Sequence, residues 1–362
     1  MISLLALLLL APQATDTPAA LELSPLFGDH MVLQCDRTVA AWGEAPPGAS
    51  VQVQLERPDL DLEITTVALA GPDGAWRAEL PAQQPGGPWT MRVVTEGSPP
   101  IVLEDVWFGD VWICSGQSNM EWPLEQTRDA QAEIAVADRP LLRLFGVPRR
   151  TADAPRSDPQ GSWTQCTPET VPSFTAVGYY FGHALSGHLG RPVGLIQSAW
   201  GGTPAEAWTE ASFLEGVEAF APIFEREPRN EAHVPSVLYN GMIAPLAPLQ
   251  VKGAIWYQGE SNAGRAEQYR TLFPAMIRSW REAFRREDLP FLFVQLANFR
   301  ERKAEPDESD WAELREAQDM ALGLARTGMA VIIDVGEAND IHPRDKRTVG
   351  ERLALEARRV AY

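Results

Sequence analysis

The chain has 362 residues, of which 45% are hydrophobic and 22% charged, and its formal net charge is −18. This balance suits a globular protein longer than one average domain. So acidic a chain offers nucleic acid no phosphate-neutralising surface, and its charge favours solubility while repelling anionic surfaces.

Residues 1–11 form an apolar run that is too short for the roughly 20 residues a bilayer span requires. A core helix rarely begins at residue 2, and small residues follow at Ala14, Ala19 and Ala20. Residues 1–20 therefore read as a secretory signal cleaved somewhere in 14–20, which predicts a secreted or bacterial periplasmic protein with no membrane span after signal removal. Three cysteines, Cys35, Cys114 and Cys166, are not a disulfide framework. No C-x-x-C or His-rich spacing suggests zinc, so no metal site is expected. Cys114, in an apolar strand, reads as a packing residue.

Residues 21–105 read as an accessory all-β sandwich domain. Val51-Gln-Val53-Gln-Leu55 alternates with period two, as a half-buried strand does. Further strands are predicted at Ile64–Leu69, Ala75–Leu80, Trp89–Val94 and Ile101–Leu103. Turn signals at Ala45-Pro-Pro-Gly48, Gly71-Pro-Asp-Gly74 and Gln84-Pro-Gly-Gly-Pro88 separate them.

Residues 106–362 change pattern, with apolar strands alternating with longer amphipathic segments. Strands are predicted at 110–114, 141–146, 193–198, 252–257, 291–296 and 329–334. Helices are expected near 174–189, 310–326 and 346–360, and over Ala266–Phe284. That last helix carries Tyr269, Leu272, Phe273, Met276, Ile277, Trp280 and Phe284 at helical spacing, and Pro274 is expected to kink or divide it. The alternation implies an α/β fold with a parallel sheet covered on both faces. Functional loops of such sheets gather at the carboxyl ends of the strands.

The motifs obey that rule. Val111-Trp-Ile-Cys-Ser-Gly-Gln-Ser118-Asn-Met120 runs from a buried strand into a small polar turn, which would bring a nucleophilic serine to the rim. Met120 stands where the G-x-S-x-G elbow has its second glycine, so this is a different turn. Among five histidines, His342 alone follows an apolar strand end with a carboxylate, Asp340, two residues before it. Asp340 could hold the His342 Nδ1–H, and Glu260, in another rim loop, is an alternative acid. Asp345 competes for the helix cap. The Ser118 N–H, Gly202 or Gly201, and the Asn262 amide are candidate donors to an oxyanion. Gln117, Trp122 and Gln258 are weaker candidates for binding substrate. Trp200 also borders a motif, while Trp256, within a strand, reads as core.

Gly116-Gln-Ser118-Asn-Met, Ser198-Ala-Trp-Gly-Gly-Thr-Pro, Trp256-Tyr-Gln-Gly-Glu-Ser-Asn262 and Asp340-Ile-His342-Pro resemble the conserved blocks of the SGNH hydrolase superfamily. The sialate O-acetylesterase group of carbohydrate esterases is the nearest match, and Leu26–Gln34 and Leu238–Met242 are similar to it too. The resemblance covers roughly residues 22–362. It implies a flavodoxin-like three-layer α/β/α domain preceded by a small β domain. It implies Ser118 as nucleophile, His342 as base, and Ser118, Gly202 and Asn262 as the oxyanion hole. Many relatives place the acid three residues before the histidine, where this chain has Asn339. The implied substrate is an O-acetylated carbohydrate, O-acetylated sialic acid first, with acetylated xylan or another polysaccharide as the alternative. No metal or organic cofactor is implied, and no oligomeric state is assigned. A carbohydrate-binding protein with a silent site is the rival of another class. It would not need Ser118, Asn262 and His342 at one rim.

Overall fold

The computed structural model describes residues 20–305 and 307–362. The secretory signal read from residues 1–20 lies, apart from Ala20, outside them.

The amino-terminal part is β1 (Glu22–Leu23), β2 (Val32–Gln34), β3 (Val39–Glu44), β4 (Ser50–Arg57), β5 (Leu62–Leu69), β6 (Ala75–Leu80), β7 (Gly86–Thr95) and β8 (Ile101–Gly116). β1, β3 and β6 form a three-stranded antiparallel sheet. β4 pairs antiparallel with β5 and β7, and β7 pairs with the first part of β8. Alternation drives burial here: Val51, Val53 and Leu55 of β4, Trp76, Ala78 and Leu80 of β6, and Trp89, Met91 and Val93 of β7 all face inward. β1, β2 and β3 escaped the sequence reading because they are short or buried without alternation.

β8 is long and changes character along its length. Its first residues alternate between half-buried and exposed, whereas Phe108–Gly116 are buried on both faces. The junction expected at 105/106 thus falls inside one continuous strand. β2 and β7 hold its first half, and the central sheet holds its second.

The remaining strands are β9 (Arg139–Gly146), β10 (Trp163–Cys166), β11 (Val193–Ala199), β12 (Gly253–Tyr257), β13 (Phe291–Val294) and β14 (Thr327–Ala330). They extend the large sheet in the order β10-β9-β11-β8-β12-β13-β14. Every pair in this run is parallel except the edge pair β10 and β9, which is antiparallel. The strand expected over 329–334 stops at Ala330. The Gln295 N–H donates to the Ala330 carbonyl there, and β13 has already ended at Val294. Val331 and Ile333, which looked like strand residues, are exposed.

The helices are α1 (Ser118–Glu121), α2 (Ala130–Ile134), α3 (Ala176–Leu189), α4 (Ala221–Glu225), α5 (Ala266–Ala283), α6 (Asp310–Met320) and α7 (Lys346–Ala361). Pro274 does not divide α5. Proline removes one main-chain bond, but Tyr269, Leu272 and Phe273 before it and Met276, Ile277 and Trp280 after it are all buried, so packing holds both halves in line. Phe273 and Trp280 of α5 meet Phe291 of β13, and Phe273 also meets Phe293. Phe181 of α3 packs edge-on against Trp112 of β8 at 5.1 Å. α3 and α7 approach closely at Gly350, where a Cβ would lie 2.6 Å from that of Tyr180. Large sheet and helices together make a mixed α/β fold.

Candidate active site

Parallel strands end on the same side of a sheet, so the segments after β8, β11, β12 and β14 share one rim. The turn after β8 depends on Gly116. Its φ is +140°, and a Cβ there would stand 2.1 Å from the Tyr257 carbonyl oxygen of β12. Glycine alone passes that contact without strain. The Gln117 N–H then donates to the Tyr257 carbonyl at 3.0 Å, and Ser118 opens α1 with Asn119 and Met120 buried behind it.

Ser118 Oγ lies 2.8 Å from His342 Nε2, although the two residues are 224 positions apart. Trp122, half-buried, stacks on the His342 ring with centroids 4.8 Å apart. Asp340 Oδ1 accepts the His342 main-chain N–H at 2.8 Å. The same oxygen stands 3.9 Å from Nδ1, outside hydrogen-bond length but close enough for a Coulombic contact. Glu260, the rival acid, forms no ion pair with His342; its Oε1 accepts from Asn119 Nδ2 at 2.6 Å. Asp345 caps α7 instead, accepting the Thr348 N–H at 3.1 Å. Asp340 is therefore the carboxylate that faces the ring.

Around Ser118, the oxyanion candidates separate. The N–H groups of Ser118 and Gly202 find no acceptor among the described residues. Gly202 reaches this position with φ at +77°. The Gly201 N–H is taken by Glu121 Oε2 at 2.8 Å, so Gly201 is no donor. Asn262 is fixed from both ends. Its Oδ1 accepts from the Ala205 N–H and Gln258 Nε2, and its Nδ2 donates to Glu206 Oε2 at 2.9 Å, leaving the second amide hydrogen uncommitted.

Gln258 and Gln117, expected to touch substrate, are buried and already engaged. Gln258 holds Asn262 and accepts from the Tyr269 hydroxyl, while Gln117 Oε1 accepts from the Ser261 N–H. Both orient the loop that carries Asn262. Trp256 is core, wedged between Trp208 and Trp280, and Trp200 lies under Arg149. All three cysteines are buried free thiols.

Burial lowers the His342 pKa, and the nearby Lys346 ammonium lowers it further, against the opposing pull of Asp340. A lowered pKa favours the neutral imidazole, the form able to accept a proton. Burial also pushes Lys346 down to about 7 and pushes the Glu260 carboxyl up. Three residues here went unnoticed in the sequence: Asn119, Glu206 and Lys346. A signal existed for Lys346. It continues the stripe Val349, Gly350, Leu353, Ala357 and Val360 that α7 buries, and a lysine in an apolar stripe needs a partner.

Comparison with known proteins adds to this geometry. The sequence profile of the family described as "Carbohydrate esterase, sialic acid-specific acetylesterase" matches residues 108–358. The sialate O-acetylesterase of Rattus norvegicus is 31% identical over 420 residues, spanning 100% of this chain and 77% of the relative. That of Homo sapiens is 34% identical, spanning 93% of this chain and 70% of the relative. The crystal structure of a carbohydrate acetylesterase from Xanthomonas citri superposes with a TM-score of 0.86 at 43% identity, covering 94% of this chain and 75% of that one.

Proposed function

The chain belongs to the sialic acid-specific acetylesterase family of carbohydrate esterases, and from that membership we propose that it hydrolyses acetyl esters on sugar hydroxyls through Ser118, His342 and Asp340. That it is an esterase follows from the family and its relatives. The single observation that carries the mechanism is the 2.8 Å contact between Ser118 Oγ and His342 Nε2.

In this mechanism the serine oxygen attacks the acetyl carbonyl while Nε2 takes its proton. The new oxyanion is met by the N–H groups of Ser118 and Gly202 and the free amide hydrogen of Asn262. Collapse breaks the bond to the sugar oxygen, which leaves with the proton from Nε2. Water, deprotonated by the same nitrogen, then attacks the acetyl-serine and releases acetate. Asp340 stabilises the imidazolium formed in each half by charge, at 3.9 Å from Nδ1. The surrounding scaffold reads as an SGNH three-layer α/β/α arrangement with an accessory β domain before it.

An acidic sugar is favoured over neutral xylan by the description of the matching family as sialic acid-specific and by relatives that are sialate O-acetylesterases. Ser118→Ala is expected to lower kcat on p-nitrophenyl acetate by on the order of 10⁴ or more. Acetate release from O-acetylated sialosides, acetylated xylan and acetylated pectin tests the substrate. An undiminished rate in the folded variant, or a clear preference for xylan, would contradict the corresponding part of the proposal.

A further inference from the structure

Beneath the catalytic rim lies a buried group of charges that the reaction as written does not use. Lys346, the first residue of α7, has no exposure at all. Its Nζ donates to Asn119 Oδ1. The amide of Asn119 spreads this contact in two directions, since its Nδ2 donates to Glu260 Oε1 at 2.6 Å and to the Ile341 carbonyl at 3.0 Å. Asn119 immediately follows the nucleophile. Ile341 immediately precedes the base. Glu260 sits in the loop that also carries Asn262. One buried asparagine therefore touches all three segments that must converge, and a buried lysine holds its oxygen.

Such a strut has a physical reason to exist. The His342 segment leaves the sheet after Ala330 and returns only at α7, so no strand ladder fixes its height above Ser118. Its main-chain ties to the rest of the fold are separate single hydrogen bonds, from the Arg300 N–H to the Ala338 carbonyl at 2.9 Å and from the Arg128 N–H to the Arg344 carbonyl at 3.0 Å, beside an internal bridge between Glu337 and Asp340. A carbonyl one residue from the base, tied to a side chain one residue from the nucleophile, sets the spacing between them directly. The buried ammonium and carboxylate at the two ends of the strut balance each other, which avoids the cost of a lone buried charge.

We propose that Lys346 is a positioning residue, which acts through Asn119 to hold the His342 segment against the Ser118 turn, with Glu260 as its counter-charge. This rests on the assignment of Ser118 and His342 as nucleophile and base. The groups that face Lys346 are Glu260 and Tyr257 from the β12 side, Trp122 just after α1, and Asp340 and His342 from the segment before α7. Asp345, at its own helix cap, completes the set.

The test compares Lys346→Met, the double variant Lys346→Met/Glu260→Gln, and Ser118→Ala, each with p-nitrophenyl acetate and each with a thermal melt. Lys346→Met is expected to lower kcat about 100-fold through misplacement of the base, with KM within about twofold. Loss of the cation should also move the acid limb of its kcat/KM profile to higher pH, because His342 becomes easier to protonate. The double variant leaves no uncompensated charge behind. It should melt cooperatively and lose kcat to a similar degree, with a smaller displacement of the acid limb. Wild-type kcat in either folded Lys346 variant overturns the inference. So does a fall in the kcat of Lys346→Met with its acid limb unmoved, and so does a double variant that no longer folds, because the pair then serves the fold rather than His342. If Ser118→Ala is fully active, the fault lies in the assignment of the nucleophile instead.

Discussion

Two opposing influences meet on the His342 ring: burial and the Lys346 cation favour its neutral form, while Asp340 favours its protonated one. Their balance fixes when the base is ready. Because the balance lowers the pKa, kcat/KM should hold at neutral pH and fall only as pH drops through a midpoint below the ordinary histidine value. A pH–rate profile on p-nitrophenyl acetate measures this directly. Asp340→Asn keeps an acceptor for the His342 N–H but removes the charge. It should shift that midpoint further down and lower kcat by about 100-fold or more, since the imidazolium loses its counter-ion. A midpoint that rises, or an unchanged kcat, would show that Asp340 only supports the main chain.

Among the elements, β8 does most to build the site. It enters the large sheet between β11 and β12 and delivers Ser118 one turn beyond its end. The close approach of Gly116 to the Tyr257 carbonyl lets α1 start at the rim instead of a strand width away. Gly116→Ala combines a φ of +140° with a backbone clash, so it should destabilise the protein by about 2 kcal/mol or more, read as a lowered denaturant midpoint. A midpoint equal to that of the wild type would mean that the turn relaxes freely. α7 contributes at both ends of the scale. Its apolar stripe packs on α3, and its first residue carries the charge beneath His342.

Across the whole molecule, the two halves are joined by hydrogen-bonded strand and not by a linker. Val106 and Phe108 of β8 are fully buried, yet β2 and β7, which pair with that part of the strand, come from the amino-terminal half. The described chain should therefore unfold in one calorimetric transition, with equal calorimetric and van't Hoff enthalpies. Residues 106–362 produced alone should fail to fold, because they begin on an unpaired, apolar strand edge. Circular dichroism and size-exclusion of that fragment check the second point. A compact, active fragment would place the domain boundary at 105/106 after all.

The amino-acid sequence by itself determined the alternation of strands and helices, the core stripe of α5, and the segments that carry Ser118, Asn262 and His342. These depend on short-range periodicity and on turn chemistry, which a local stretch of sequence records. It put Asp340 first and kept Glu260 as an alternative, because proximity to a ring nitrogen is a property of space and not of spacing. Only the tertiary structure turned Glu260 toward Asn119, committed Gly201 to Glu121 while leaving Gly202 free, and took Gln117 and Gln258 out of reach of a substrate. Lys346 belongs to the same class. In the sequence it is one charge at a helix start, and it gains its meaning when folding removes water from it and brings Asn119 and Glu260 to it.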